Sequence, residues 1–335
     1  MSEKCTLGIL LGDAAGIGPE LVAKVCKSGY LTEKCRPVII GDKRVFDHIC
    51  GVVGAEVDCR VIYDAKDISF DEKSICFYDQ QNIGMEDFSF GTVCTACGKA
   101  SVEQINLAVE LWKGGFIDGC CFAPFNKAAM IAHIGSAISS ERAIMAKALD
   151  YHGPLGEINH CGTVWTTRVA SHVPVCRICE VITKESVSAA TELLYGTLIR
   201  AGFKAPRIAM AALNPHAGEN GRCGTEEITI LTPVIEDFAR RGIQIDGPFP
   251  ADTVFVRAIK QQKYDGIVTM YHDQGQIALK LIGFEQGVTI EGGMPMPFTT
   301  AAHGTAYGKA GKGTASVTAF ENAISDAVSL SSQKV

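Results

Sequence analysis

The 335-residue sequence has no long apolar run. Its first hydrophobic stretch, Leu7–Leu11, stops at Gly12-Asp13. A run that short cannot form a signal-peptide core, still less a membrane span. The expected setting is the cytoplasm, away from membranes. An excess of positive charge is also lacking, since 31 Lys and Arg face 37 Asp and Glu for a formal net charge of −6. That balance disfavours nucleic acid or an anionic membrane as the main partner, and leaves room for a local basic pocket for an acidic small molecule. No internal repeat, low-complexity tract or obvious linker interrupts the chain. What remains, 47% hydrophobic and 20% charged, suits a globular protein with a large core. The length allows one large α/β domain or two lobes.

Cysteine, by contrast, is plentiful at 14 residues. In a reducing compartment disulfides are not expected. Two pairs, Cys94/Cys97 and Cys176/Cys179, have the Cys-x-x-Cys spacing of zinc ligands. The pairs lie far apart in the chain, and no turn chemistry frames either as a zinc knuckle. Small buried hydrophobes are the expected role.

Strand-like and helix-like runs alternate. Thr6–Leu11, Arg36–Ile40, Gly119–Ala123, Ile208–Leu213 and Gly266–Tyr271 are apolar without alternation, as buried parallel strands are. Pro19 suits the start of a helix. Val102, Ile105, Val109 and Trp112 recur at helical spacing, and Val187–Arg200 predicts a helix closed by Gly202. Residues 84–97 form the best candidate for a long loop. This rhythm predicts an α/β fold with mostly parallel sheets.

Three of the eight histidines directly follow strand-like runs: His172 after Thr167–Ser171, His216 after Ala211–Pro215, and His272 after Thr269–Tyr271. Ligand crevices of open α/β sheets lie outside the carboxyl ends of the strands, so all three imidazoles are candidates for one crevice. Neutral imidazole is the commonest metal ligand, and three of them leave positions open for substrate. The opposing reading is three unrelated loop histidines bonded locally. Three at strand ends, in turns rich in polar residues, favour a metal. Asp273, beside His272, is placed to orient a ligand or move a proton.

The segments Gly12-Asp13-Ala14-Ala15-Gly16-Ile17-Gly18-Pro19-Glu20, Leu213-Asn214-Pro215-His216-Ala217-Gly218-Glu219, Pro250-Ala251-Asp252-Thr253, Tyr271-His272-Asp273-Gln274-Gly275 and His303-Gly304-Thr305-Ala306 resemble the 4-hydroxythreonine-4-phosphate dehydrogenase (PdxA) family. The motifs occur in the family's order over essentially the whole chain. The resemblance implies two α/β/α lobes of the isocitrate and isopropylmalate dehydrogenase type, with a central cleft. The expected lobes are 1–130 plus 300–335, and 131–299. It implies a homodimer with shared active sites, one metal ligand coming from the neighbouring subunit. It implies oxidation of a secondary alcohol by NAD or NADP with a divalent metal (zinc, magnesium, manganese or cobalt), followed by loss of carbon dioxide. His172, His216 and His272 match the metal ligands. Lys280 matches a substrate-contacting lysine, and Asp252 and Asp273 match polar groups at the cleft. Lys280, Asp273 and Asp252 are thus the candidate catalytic residues. Asp252 and Thr253 are candidates for the nucleotide, with Gly12 and Asp13. The Gly12–Gly18 spacing is not that of the dinucleotide fingerprint, so a tight strand-to-helix turn is its plainer role.

Three departures bear on the substrate. Ser139 and Ser140 stand where the family's histidine and threonine touch substrate, Phe298 stands for an arginine that meets phosphate, and Thr289 stands for an asparagine. Phenylalanine cannot make the bidentate charge-assisted bonds of a guanidinium. The substrate expected from the sequence is therefore a small hydroxy acid without phosphate, such as a carboxylated cis-dihydrodiol, with Ser139, Ser140, Lys280, Thr289 and Phe298 about it. A genuine 4-hydroxythreonine-4-phosphate dehydrogenase, or a threonate- or erythronate-4-phosphate relative, is the first alternative. A metal-dependent hydrolase or lyase is the alternative from another class.

Overall fold

The structure, a computed structural model, describes residues 4–71, 75–135, 140–283 and 285–332. Two compact units divide the chain. The first joins Met1–Gly153 to Met294–Lys334, and the second is Pro154–Gly293. The boundaries drawn from sequence, 130/131 and 299/300, fall elsewhere. Residues beyond 130 stay with the first unit because two of its helices pack on a third, as described next.

In chain order the first unit carries β1 (Thr6–Leu10), α1 (Gly18–Lys27), α2 (Tyr30–Lys34), β2 (Arg36–Gly41), α3 (Lys43–Val53), β3 (Arg60–Ile62), β4 (Cys76–Asp79), α4 (Thr95–Lys113), β5 (Gly119–Phe122), α5 (Lys127–Ile134) and α6 (Glu141–Leu149). The second carries β6 (Gly156–Cys161), β7 (Val164–Ala170), α7 (Ile178–Val181), α8 (Lys184–Arg200), β8 (Ile208–Ala211), α9 (Thr232–Arg240), β9 (Ile245–Phe249), α10 (Ala251–Phe255), β10 (Gly266–Tyr271), α11 (His272–Gly283) and β11 (Val288–Gly292). β12 (Phe298–Ala301) and α12 (Thr318–Ser331) return to the first unit.

The first unit's strands run β3-β4-β2-β1-β5-β12, all parallel. Leu7, Ile9, Val38, Ile39 and Ile40 have no exposed surface, as expected of strands covered on both faces. Helices α5 and α6 pack on α4. Gly98 of α4 permits this approach, since a Cβ there would stand 1.9 Å from the Ala129 carbonyl oxygen.

The second unit's strands run β11-β6-β7-β10-β8-β9. β10 is parallel to both β7 and β8, but β6 is antiparallel to β7 and to β11. Here the sheet is mixed rather than mostly parallel. Only Gly162 and Thr163 separate the paired residues Cys161 and Val164, and so short a turn can join only antiparallel strands. Leu193, Leu194 and Leu198 of α8 cover one face, close against Gly156, Gly266 and Gly292. Helix α11 lies on the other, where Gly275 faces Thr269 and Thr166. No helix among the described residues is long and apolar enough to cross a membrane.

Candidate metal site

Strands β7, β10 and β8 are neighbours and parallel, so the residues that follow them emerge at one edge of the second unit's sheet. His172 comes two residues after β7, and His272 is the first residue of α11, directly after β10. Their rings stand 5.8 Å apart, tilted by 41°. His272 Nδ1 lies 2.7 Å from Asp273 Oδ1. A carboxylate there holds the proton on Nδ1 and leaves Nε2 free to bind a ligand, a common arrangement behind metal-binding histidines. His172 has a φ of 54°, in the left-handed region.

His216 occupies a more unusual backbone. His216, Ala217, Gly218, Glu219 and Asn220 all have positive φ, making a left-handed turn. Each L-residue in such a turn costs roughly 1–2 kcal/mol. Buried Glu227 holds its entry. Oε1 accepts from the Leu213 and Asn214 backbone N–H groups at 2.9 and 2.8 Å, and Oε2 accepts from Asn214 Nδ2 at 3.0 Å. Glu226 Oε2 also accepts from Asn214 Nδ2, at 2.7 Å. Glu227 escaped the sequence reading because its partners lie on a loop thirteen or more residues away, with no spacing rule to connect them. His216 is exposed. The described residues of one chain bring together two imidazoles, His172 and His272, and contain no group of three His, Cys, Asp or Glu placed to hold an ion. The donors present suit a divalent ion as a two-histidine half-site, with one imidazole oriented by a carboxylate.

The remaining sequence candidates scatter. Lys280 is exposed on α11 and has no carboxylate partner among the described residues. Asp252 is exposed in the first turn of α10, and the Thr253 hydroxyl donates to the Pro250 carbonyl at 3.2 Å. Thr289 Oγ1 accepts from Asn159 Nδ2 at 3.0 Å. Ser140 caps α6 by accepting from the Ala143 N–H at 3.2 Å, and Ser139 lies outside the described residues. Phe298 is a correction. It has no exposed surface and pairs with Cys120 across β12 and β5, so it is a core side chain and not a platform for a flat substrate.

The turn after β1 is closed on itself. Gly12, at φ 76°, donates to Gln104 Oε1 at 2.9 Å and accepts from Gln104 Nε2 at 3.0 Å. Asp13 is fully buried; its Oδ1 accepts from the Ala15 N–H at 3.0 Å and its Oδ2 from the Tyr307 hydroxyl at 2.6 Å. Burial pushes the Asp13 carboxyl up, against hydrogen bonds from Tyr307, Ala15 and Cys97 that pull it down. Both residues thus spend their hydrogen bonds inside the first unit. The cysteines depart from expectation in one place. Cys97 is buried and Cys94 half-buried, but Cys176 and Cys179 are exposed rather than packed as small hydrophobes.

A family model described as pyridoxal phosphate biosynthetic protein PdxA matches residues 33–327. A Rhizobium meliloti (strain 1021) protein, provisionally named 4-hydroxythreonine-4-phosphate dehydrogenase 2, is 39% identical over 98% of this chain and 94% of its own. A Clostridium botulinum protein, provisionally named D-threonate 4-phosphate dehydrogenase, is 34% identical over 97% of this chain and 96% of its own. The crystal structure of a 4-hydroxythreonine-4-phosphate dehydrogenase from Burkholderia phymatum matches with a TM-score of 0.83 at 33% identity, covering 98% of this chain and 99% of that one. The motifs, the fold and these likenesses agree, and the chain belongs to the PdxA family of dehydrogenases.

Proposed function

We propose that this dehydrogenase oxidises the secondary alcohol of a small hydroxy acid without phosphate, using NAD or NADP and one divalent ion, with loss of carbon dioxide from the β-keto acid formed. The observation that carries the reading is the His172–His272 pair at the ends of adjacent parallel strands. When bound, the ion supplies Lewis-acid polarisation of substrate oxygens. NAD or NADP, when bound, would supply the hydride acceptor. His172 and His272 would hold the ion, with His216 as the third imidazole, and Asp273 would fix the tautomer of His272. Lys280, exposed and without a carboxylate partner, is suited to pair with a substrate carboxylate or return a proton to the decarboxylated carbon. Asp252 and Thr253 are kept as candidate nucleotide contacts. The absence of phosphate from the substrate is supported by residue type. It rests on the sequence alone, where phenylalanine and serine stand at positions that the family resemblance gives to arginine and threonine. Neither Phe298, a core side chain, nor Ser140, a helix cap, is brought to the histidine pair by a contact the structure shows.

The homodimer belongs to the same reading. Ile277 and Leu281 of α11 are 59% and 83% exposed, an apolar face suited to burial against a second copy. A partner chain would also account for a third imidazole that one chain does not bring to the other two. The cytoplasm remains the expected compartment.

A phosphorylated substrate is the second reading, favoured by the names of the Rhizobium meliloti and Clostridium botulinum relatives. The test is a screen of hydroxy acids and dihydrodiols, with and without phosphate, read as reduced-nicotinamide absorbance. Losing one charged hydrogen-bond partner costs about 1.5–3 kcal/mol, or roughly one to two powers of ten in kcat/KM. A kcat/KM on 4-phosphohydroxythreonine or D-threonate 4-phosphate typical of an efficient enzyme would establish the second reading instead. Metal content after His172→Ala tests the site separately. An unchanged content would remove His172 from it.

A further inference from the structure

The two faces of the second unit's sheet are built differently. Under α8 the contacts are leucine against glycine. Under α11 the contacts at β11, at β6 and at Arg168 of β7 are polar, beside an apolar cluster of Val164, Ala209 and Ile267 on which Ala278 packs. Arg168 of β7 is the one buried lysine or arginine among the described residues. Its Nη2 lies 2.7 Å from Glu157 Oε2, with both side chains largely removed from water. Its Nη1 donates to Asn159 Oδ1 at 2.8 Å, and its Nε donates to Ser171 Oγ at 3.0 Å. Asn159 Oδ1 also accepts from Gln276 Nε2 of α11 at 2.6 Å, while its Nδ2 donates to Glu157 Oε1 at 3.1 Å and to Thr289 Oγ1 at 3.0 Å. A second carboxylate, buried Glu291, stands opposite Glu157 in the β11–β6 register.

This network reaches both histidines. Ser171 is the residue before His172, and Gln276 lies one turn into the helix that His272 begins. Leucine packing is non-directional and tolerates sliding. A guanidinium fork fixes angles as well as distances. We propose that Arg168 is a positioning residue, which through Ser171 on one side and Asn159–Gln276 on the other sets the separation and tilt of the His172 and His272 rings. The proposal rests on the metal reading above. A buried ion pair alone would also make Arg168 important to folding, because removing one partner weakens the compensation of the other charge. The test must therefore separate position from charge.

Arg168→Met takes the guanidinium away from Glu157, whereas Arg168→Met with Glu157→Gln removes both charges at similar volume. Cobalt(II) is titrated into each full-length protein, read by calorimetry and by the visible spectrum of the bound ion, alongside Tm. Arg168→Met should lose both Tm and cobalt affinity. The double variant should regain Tm yet keep an affinity deficit of about 10–100-fold, the usual effect of removing a group that orients a metal ligand, with an altered cobalt spectrum. Arg168→Lys, which keeps the charge without the fork, should show the same deficit. A double variant that binds cobalt with wild-type affinity and spectrum would overturn the positioning role and leave the metal reading standing. Wild-type cobalt binding that is indifferent to His172→Ala would remove both.

Discussion

The same substitution, glycine to alanine inside a helix, should have opposite effects at Gly98 and Gly196. Both glycines sit in helix interiors, in α4 and α8. Mid-helix glycine costs roughly 0.5–1 kcal/mol relative to alanine, because the unfolded chain is freer. At Gly196 nothing lies within 4 Å of an added Cβ, so the full gain should appear. At Gly98 the Cβ would stand 1.9 Å from the Ala129 oxygen, 2.2 Å from its carbonyl carbon and 2.8 Å from Met130 N. Ordinary contact begins near 3.4 Å, so α4 and α5 must separate by more than an ångström. The obstacle is backbone, which cannot swing aside. Overpacking of this kind costs typically about 1–3 kcal/mol, with the upper end apt for a backbone clash. Set against the propensity gain, the net loss is about 2 kcal/mol. For units of this size each kcal/mol moves Tm by about 2–4 °C. Calorimetry should therefore show Gly196→Ala a few degrees above wild type and Gly98→Ala several degrees below. A Gly98→Ala protein as stable as wild type would refute the claim that this close approach holds α5 against α4.

Three further outcomes follow from the structure. Burial raises the folded pKa of Asp13, so folding favours its protonated form. Wild type then carries a penalty above that pKa and none below the unfolded value of about 3.9. The Tm of Asp13→Asn relative to wild type should be highest at neutral pH and fall away toward pH 3, and a difference independent of pH would contradict this. Among the thiols, exposed Cys176 and Cys179 should react first with an aromatic disulfide reagent, and Cys176→Ser with Cys179→Ser should abolish the fast phase. Buried Cys120, whose thiol burial pushes up, should wait for unfolding. If the third imidazole comes from a partner, mixing His216→Ala with His172→Ala should restore activity through hybrid dimers, whereas mixing His172→Ala with His272→Ala should not. Recovery only in the second mixture would place His172 and His272 in different subunits.

Much of the scaffold was legible in the sequence because buried parallel strands announce themselves. Gly266–Tyr271 is read and found with the same ends, and Thr6–Leu11, Arg36–Ile40 and Gly119–Ala123 lie within a residue of β1, β2 and β5. The placement of His172 and His272 at strand ends was legible for the same reason, since a polar residue just after an apolar run marks a strand's carboxyl end. Strand direction in the second unit was not, because the Cys161–Val164 turn carries only one glycine as a cue. Nor were Arg168 and Glu227. Their partners are brought in by sheet register and loop return, and a buried charge looks in sequence like any surface charge. Phe298 shows the opposite error, for a residue type that fits a flat ligand fits a core equally well.

The unlike faces of the second unit's sheet should also answer differently to cold. Burial of leucine against glycine draws on water's reluctance to hydrate hydrocarbon, and that reluctance fades on cooling. Hydrogen bonds among Arg168, Asn159 and Gln276 carry no such dependence. Near freezing, α8 should loosen on its side of the sheet while the first turn of α11, as far as Gln276, keeps its seat. Amide exchange at low temperature would then quicken along Val187–Leu198 and not in the turn that begins at His272.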